Sequence, residues 1–128
     1  MKNAKLPLYI TLGVIFWLSA ALTVRTVGNT VFSENNAWLF LFFVLGFPIT
    51  WGFLFVTKKA AGIEYGALLE PVVIMTFTAT MLDGVALAWF RHLYGPTHEI
   101  ALYGAAWILW GAGLGLLFAY VLKKRTTD

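Results

Sequence analysis

Four apolar blocks, Leu6 to Val24, Ala37 to Thr57, Pro71 to Phe90 and Ile100 to Leu122, fill most of this sequence, and Asp83 is the only charged residue inside any of them. Each block supplies the roughly 20 residues a helix needs to cross a hydrocarbon core of about 30 Å. In lipid the backbone must satisfy its own hydrogen bonds, which leaves helices and closed barrels as spanning structures. A barrel strand alternates in polarity over about 9 to 11 residues, whereas these blocks are continuously apolar at about twice that length. The expected fold is therefore an all-α membrane protein, a four-transmembrane-helix bundle. Its spans fall at about 6–25, 37–57, 71–91 and 99–122 of a single integral membrane domain, 1–128. Composition agrees, with 60% hydrophobic residues, 12% charged and a mean hydropathy of +0.79.

The charges lie at the ends of the blocks, where they read as topology signals. Lys2, Lys5, Lys58, Lys59, Lys123, Lys124 and Arg125 fall on one side, against Arg25 and Arg91 on the other. The positive-inside rule then places both termini in the cytoplasm of a bacterial inner membrane. The formal charge of +3 is accounted for in this way, and no nucleic-acid surface is expected. Lys2 and Lys5 ahead of an apolar run that reaches Ser19-Ala20-Ala21 also fit a secretory leader. The run continues to Val24, and it is read as a true first span.

Polar residues mark the first connection, Arg25 to Asn36, where Gly28, Asn29, Ser33, Glu34, Asn35 and Asn36 supply turn and cap chemistry. Pro48 inside the second block predicts a kink, because it lacks a backbone N–H and crowds the preceding turn. Ala60 to Leu69 is apolar enough to lie at the interface as a short amphipathic segment. The two halves share a faint pattern, Gly52-Phe-Leu-Phe55 before Lys58-Lys59 and Gly115-Leu-Leu-Phe118 before Lys123-Lys124. Two tandem helical hairpins related by an axis along the membrane normal would produce it. In the fourth block Gly111-x-x-x-Gly115 predicts a helix-packing face of small residues.

Thr76, Thr80, Asp83 and Arg91 recur at spacings of four and three, so a continuous helix puts them on one stripe. A carboxylate facing lipid costs about 2.5 to 3.5 kcal/mol on insertion scales, which turns that stripe into the bundle. Of six tryptophans, Trp38, Trp51 and Trp89 sit near span ends as an aromatic belt would. Trp17, Trp107 and Trp110 sit deeper. A deep indole N–H needs an acceptor, and Asp83 is the expected one. Asp83, Thr76, Thr80, Trp17, Trp107, Trp110 and Arg91 together form the candidate ligand or proton site.

No catalytic residue, cofactor or metal site is expected. Cysteine is absent, His92, His98 and Glu99 share a turn without a metal-binding spacing, and neither histidine lies in a span where haem would need it. No phosphate-cradling loop or nucleophile triad occurs. Four spans in about 130 residues, an acid in the third and a Trp-rich fourth resemble, in layout, small bacterial inner-membrane proteins of uncharacterised families. The size is similar to that of small multidrug resistance transporters, which carry their acid in the first span and have weak charge bias. The leading expectation is a protein that binds or transports a small, lipophilic, cationic molecule or a proton through Asp83. The alternative is an accessory or assembly subunit of a larger membrane complex or homo-oligomer, docked through the glycine face; a lipid-modifying enzyme acting through His92, His98 and Glu99 comes third.

Overall fold

The structure, a computed structural model, describes residues 5–33 and 35–127, with side chains as far as Lys123. Lys2, Glu34 and the side chains of Lys124 and Arg125, invoked above for topology and turn chemistry, lie outside the described residues. Four helices account for nearly all of it: α1 Leu6–Val31, α2 Ala37–Ala61, α3 Leu69–Trp89 and α4 His98–Thr127. All four contain an apolar stretch long enough to cross a membrane, and no more than 28% of any such stretch is buried within the protein. Much of the rest is outward-facing apolar surface, Phe40, Met81 and Trp89 among it. A water-soluble bundle would bury such a stripe; this one presents it to lipid.

α1 continues six residues past the expected end at 25. Val24, Gly28 and Val31 recur at helical spacing and are all buried, so the inner face outweighs the polar residues on the outer one. Thr23 and Thr26 bond back to the carbonyls of Ser19 and Leu22, four residues earlier, which lets hydroxyls sit in a helix without solvent. α2 runs unbroken through Pro48. It ends in Lys58 and Lys59, with Gly62 at φ 66° donating its N–H to the Lys58 carbonyl, a left-handed stop that favours glycine. Lys5 Nζ donates to the Ala61 carbonyl at 2.7 Å, adding a cation at the negative end of α2. α3 stops at Trp89, two residues short of expectation, where Phe90 leaves the helix with φ −132°.

The connection after α2 is compact. It forms a 3-10 turn, Tyr65–Ala67, packed on α4. Leu68 is fully buried in a cluster with Leu54, Val72 and Ala119, and burying its side chain is worth about 1.5 to 3 kcal/mol against exposure to water.

Around the bundle the order is α1, α2, α4, α3. α1 packs chiefly along α3, α2 along α4, and α2 scarcely touches α3. A rotation relating two tandem hairpins would make the α1–α4 and α2–α3 contacts equivalent. They are not: α1 also packs on α4, so the faint sequence pattern is not matched by a two-fold arrangement.

Close approaches occur at glycines other than the expected pair. A Cβ on Gly104 would stand 2.4 Å from Val24 Cγ1, on Gly28 2.5 Å from Ile100 Cγ2, and on Gly13 3.0 Å from the Met75 carbonyl oxygen. An added Cβ on Gly111 would meet nothing within 4 Å, and one on Gly115 only Thr50 and Val72 methyls at 3.8 and 3.9 Å. The Gly111-x-x-x-Gly115 face therefore makes no close helix contact within the chain. Outside, a ladder of rings joins α2 to α4: Phe43 to Trp110 at 5.6 Å, Trp110 to Phe47 at 6.0 Å, Phe47 to Phe118 at 6.1 Å and Phe118 to Trp51 at 5.2 Å. Trp51, expected near a span end, thus sits ten residues inside α2 as part of the α2–α4 seam.

Candidate intramembrane binding site

Two buried clusters close the ends of the bundle. Phe32, Val24, Ile100, Tyr94 and Trp107 pack at the end holding the α1–α2 and α3–α4 connections. Leu54, Leu68, Val72 and Ala119 pack toward the termini. Between them lies a chamber of about 360 Å³ with walls from all four helices. Its contributors follow helical stripes: Phe16, Ala20 and Thr23 on α1; Gly46, Thr50 and Phe53 on α2; Val72, Thr76, Ala79, Thr80 and Asp83 on α3; Ile108, Gly111, Ala112 and Gly115 on α4. The small residues of α4 are what keep it open. Where a Leu would fill the axis, Gly111 leaves space.

Asp83 marks the head of the chamber. It is 8% exposed and lies six residues before the end of α3, or about 9 Å along the axis, nearer the α3–α4 turn than the mid-span position suggested by the sequence. Its Oδ1 accepts a hydrogen bond from the Tyr94 hydroxyl. That hydroxyl in turn accepts from Trp17 Nε1 at 3.1 Å, so α1, α3 and the α3–α4 turn meet at one carboxylate. The Asp83 side chain also forms part of the chamber wall.

Tyr94 is the residue that sequence reasoning missed. Arg91–Leu93 forms a 3-10 turn, and Gly95 at φ 144° then reverses the chain, in a conformation that favours glycine. The reversal drives Tyr94 back into the bundle, where it is fully buried. Arg25 Nη1 braces the turn from α1 by donating to the His92 carbonyl. Burial, and then the Asp83 hydrogen bond, push the Tyr94 phenol well above its ordinary range, so it remains a donor. A tyrosine between two spans ordinarily reads as an interfacial ring; only Gly95-Pro96 hinted at a reversal here.

Asp83, Thr76, Thr80, Trp17 and Trp107 do share the chamber. Trp107 does not reach Asp83 with its N–H, which donates to the Phe42 carbonyl at 2.9 Å. Trp110 leaves the site altogether: its N–H bonds the Phe43 carbonyl at 2.8 Å and its ring is 38% exposed on the α2–α4 seam. Both acceptors lie in the turns just before Pro48, and each carbonyl has a second lone pair to offer. Arg91 also falls outside the chamber, because the helix that would have carried it onto the Asp83 stripe ends at Trp89. Its Nη1 is buried without a hydrogen-bond partner. Among the described residues no cluster of His, Asp and Glu could hold a metal ion; His92, His98 and Glu99 are exposed residues of the turn and of the start of α4.

Chemically, the chamber offers an acceptor at one end and an apolar bore along the rest. The Trp17–Tyr94–Asp83 chain is not a proton wire, since an indole donates and has no acceptor to receive a proton. It is a positioning device for one carboxylate. No family model, curated protein or solved structure matches the chain.

Proposed function

We propose that this protein binds a small lipophilic molecule with a cationic head inside the membrane, with Asp83 as the anchor. One observation carries this reading: the carboxylate is the single charge on a 360 Å³ chamber otherwise bounded by apolar, aromatic and hydroxyl-bearing side chains. That is the usual make-up of a small-molecule site, a largely apolar pocket with a few placed polar groups. An intramembrane acid that faces a cavity is a functional candidate by its cost alone. Trp17 and Trp107 place aromatic rings along the same walls, where a cation gains a further attraction. Movement of the bound molecule across the membrane would be an extension of this binding step.

The same reading seats the protein in a bacterial inner membrane with the end carrying Lys5, Lys58 and Lys59 in the cytoplasm, supported by the charge bias. As an accessory subunit the chain would need a docking face other than Gly111 and Gly115, which line the chamber.

Binding of hexylammonium to the purified protein in nanodiscs, followed by intrinsic tryptophan fluorescence, tests the proposal. Asp83→Asn is expected to weaken binding at least tenfold, equivalent to about 1.4 kcal/mol. An affinity within twofold of the wild type would end it.

A further inference from the structure

The chamber has a shape as well as a charge. Its α3 wall runs eleven residues from Val72 to Asp83, a length of about 16 Å at roughly 1.5 Å per residue. Its lining thus extends along the bundle axis for about three turns of α3, a length that an extended alkyl chain follows and a compact ring system does not. The walls also differ along the axis. Asp83 and Thr80 stand near one end, while Val72, Leu54 and Gly115 close the other.

A mouth is visible on one side. Ser19 is exposed and yet lines the chamber, and α1 leans on α3 far more than on α2. The opening therefore follows the α1–α2 seam, with the stacked rings of Phe16 and Phe53, 4.5 Å apart, bridging it toward the termini. Ser19 and Thr23 Oγ atoms donate to the carbonyls of Ile15 and Ser19 at 2.9 and 2.8 Å. Their protons are thus already paired where the seam faces lipid, so the mouth presents no unsatisfied donor to the bilayer.

Resting on the binding role proposed above, we infer that the ligand is a single-chain alkylammonium amphiphile that enters from the bilayer between α1 and α2, its head at Asp83 and its tail along Gly111 toward Val72. A primary ammonium carries three donors, and the Asp83 carboxylate and the Thr80 hydroxyl oxygen, one turn apart on the same wall, are acceptors within its surroundings. The tail exchanges lipid for an apolar bore and gains little hydrophobic energy by doing so. Selection therefore comes from the head and from whether the tail fits.

Gly111 is the position at which fit can be changed. Gly115 lies beside Val72, which sets Gly111 one turn higher, level with Thr76. That is about 10 Å from Asp83, counting seven residues at about 1.5 Å. An added side chain there meets nothing within 4 Å and points into the bore, so Gly111→Leu plugs the tail path.

The experiment measures hexylammonium and dodecylammonium binding in nanodiscs, both referred to their membrane-dissolved concentration, with dodecanoate as the control of opposite charge. The expected result is a fall of at least tenfold in the dodecyl-to-hexyl affinity ratio on Gly111→Leu, with dodecanoate binding at least tenfold weaker than dodecylammonium in the wild type. An unchanged ratio, or dodecanoate binding as well as the amine, overturns the inference; if Asp83→Asn still abolishes hexylammonium binding, the broader role survives it. Should Gly111→Leu fail to fold, a dodecylamine with a photoreactive group at its tail end decides the matter on the wild type. Labels on Leu54, Val72 or Met75 support the inference, and labels confined to outward residues such as Phe40 and Met81 refute it.

Discussion

Tyr94→Phe removes one oxygen atom and, with it, two hydrogen bonds: the one Tyr94 gives to Asp83 and the one it takes from Trp17. The ring stays, so its packing against the cluster of Phe32, Ile100 and Trp107 is kept. Side-chain hydrogen bonds within membranes average about 0.6 kcal/mol and reach about 1.7, so two of them amount to about 1 to 3 kcal/mol. The upper half of that range applies here, because Tyr94 is fully buried and its acceptor is a carboxyl group, for which bonds are stronger. Asp83→Asn makes the opposite prediction. The amide oxygen still accepts from Tyr94 and no ionisable group is left in the span, so stability is unchanged or raised. Reversible unfolding in mixed micelles measures both. A Tyr94→Phe cost below about 0.5 kcal/mol, or an Asp83→Asn cost larger than that of Tyr94→Phe, would refute the idea that Tyr94 holds the carboxylate in place.

Glycine-to-alanine changes should separate by position. Gly28→Ala and Gly104→Ala drive a methyl into Ile100 and Val24 and should each cost about 1 to 3 kcal/mol, whereas Gly111→Ala, with open space around it, should gain up to about 1 kcal/mol from helix propensity; equal effects at all three sites in the same unfolding assay would contradict the packing described. The phenol of Tyr94 is raised above its unfolded value of about 10, so its contribution to stability is full below about pH 10 and is lost as pH rises through the folded value. Alkaline titration by tyrosinate absorbance should accordingly show a late-ionising tyrosine that is missing from Tyr94→Phe. Trp107→Phe gives up the bond to the Phe42 carbonyl and should cost about 1 kcal/mol, more than Trp110→Phe on the lipid-facing seam, and a reversed order would count against the assignment of Trp107 to the core.

The four helices were legible because hydropathy over 20 residues has one structural solution in lipid, and their ends were less so. Arg25 and Asn29 looked like the start of a loop, yet Val24, Gly28 and Val31 held α1 in helix to its end. The Thr76, Thr80 and Asp83 stripe was legible for the same reason that helices were: spacing of four and three survives any packing. Arg91 fell off it because no local residue announced that α3 would end at Trp89. Small residues proved ambiguous in a way that has a physical cause. A glycine on a helix face permits either a close neighbour or an empty volume, and its own residue type does not say which. Gly104 took the first outcome and Gly111 the second.

Tyr94 reveals why the site, unlike the fold, resists reading from sequence. A spanning helix is decided by its own residues, but a carboxylate in lipid is decided by whatever reaches it, and what reaches Asp83 comes eleven residues later through a glycine-based reversal. The deep tryptophans, each in need of an acceptor, were three contenders for that role. Two found backbone carbonyls in α2 instead, because a helix carbonyl has a spare lone pair at every turn while a lone acid has a fixed position. Had all three indoles converged on Asp83, its acceptor capacity would have been filled and the carboxylate would have been a structural knot. With the Tyr94 phenol on Oδ1 and the chamber at its side, the acid is instead fixed at the wall of an open volume, the held geometry that the proposed binding role calls for.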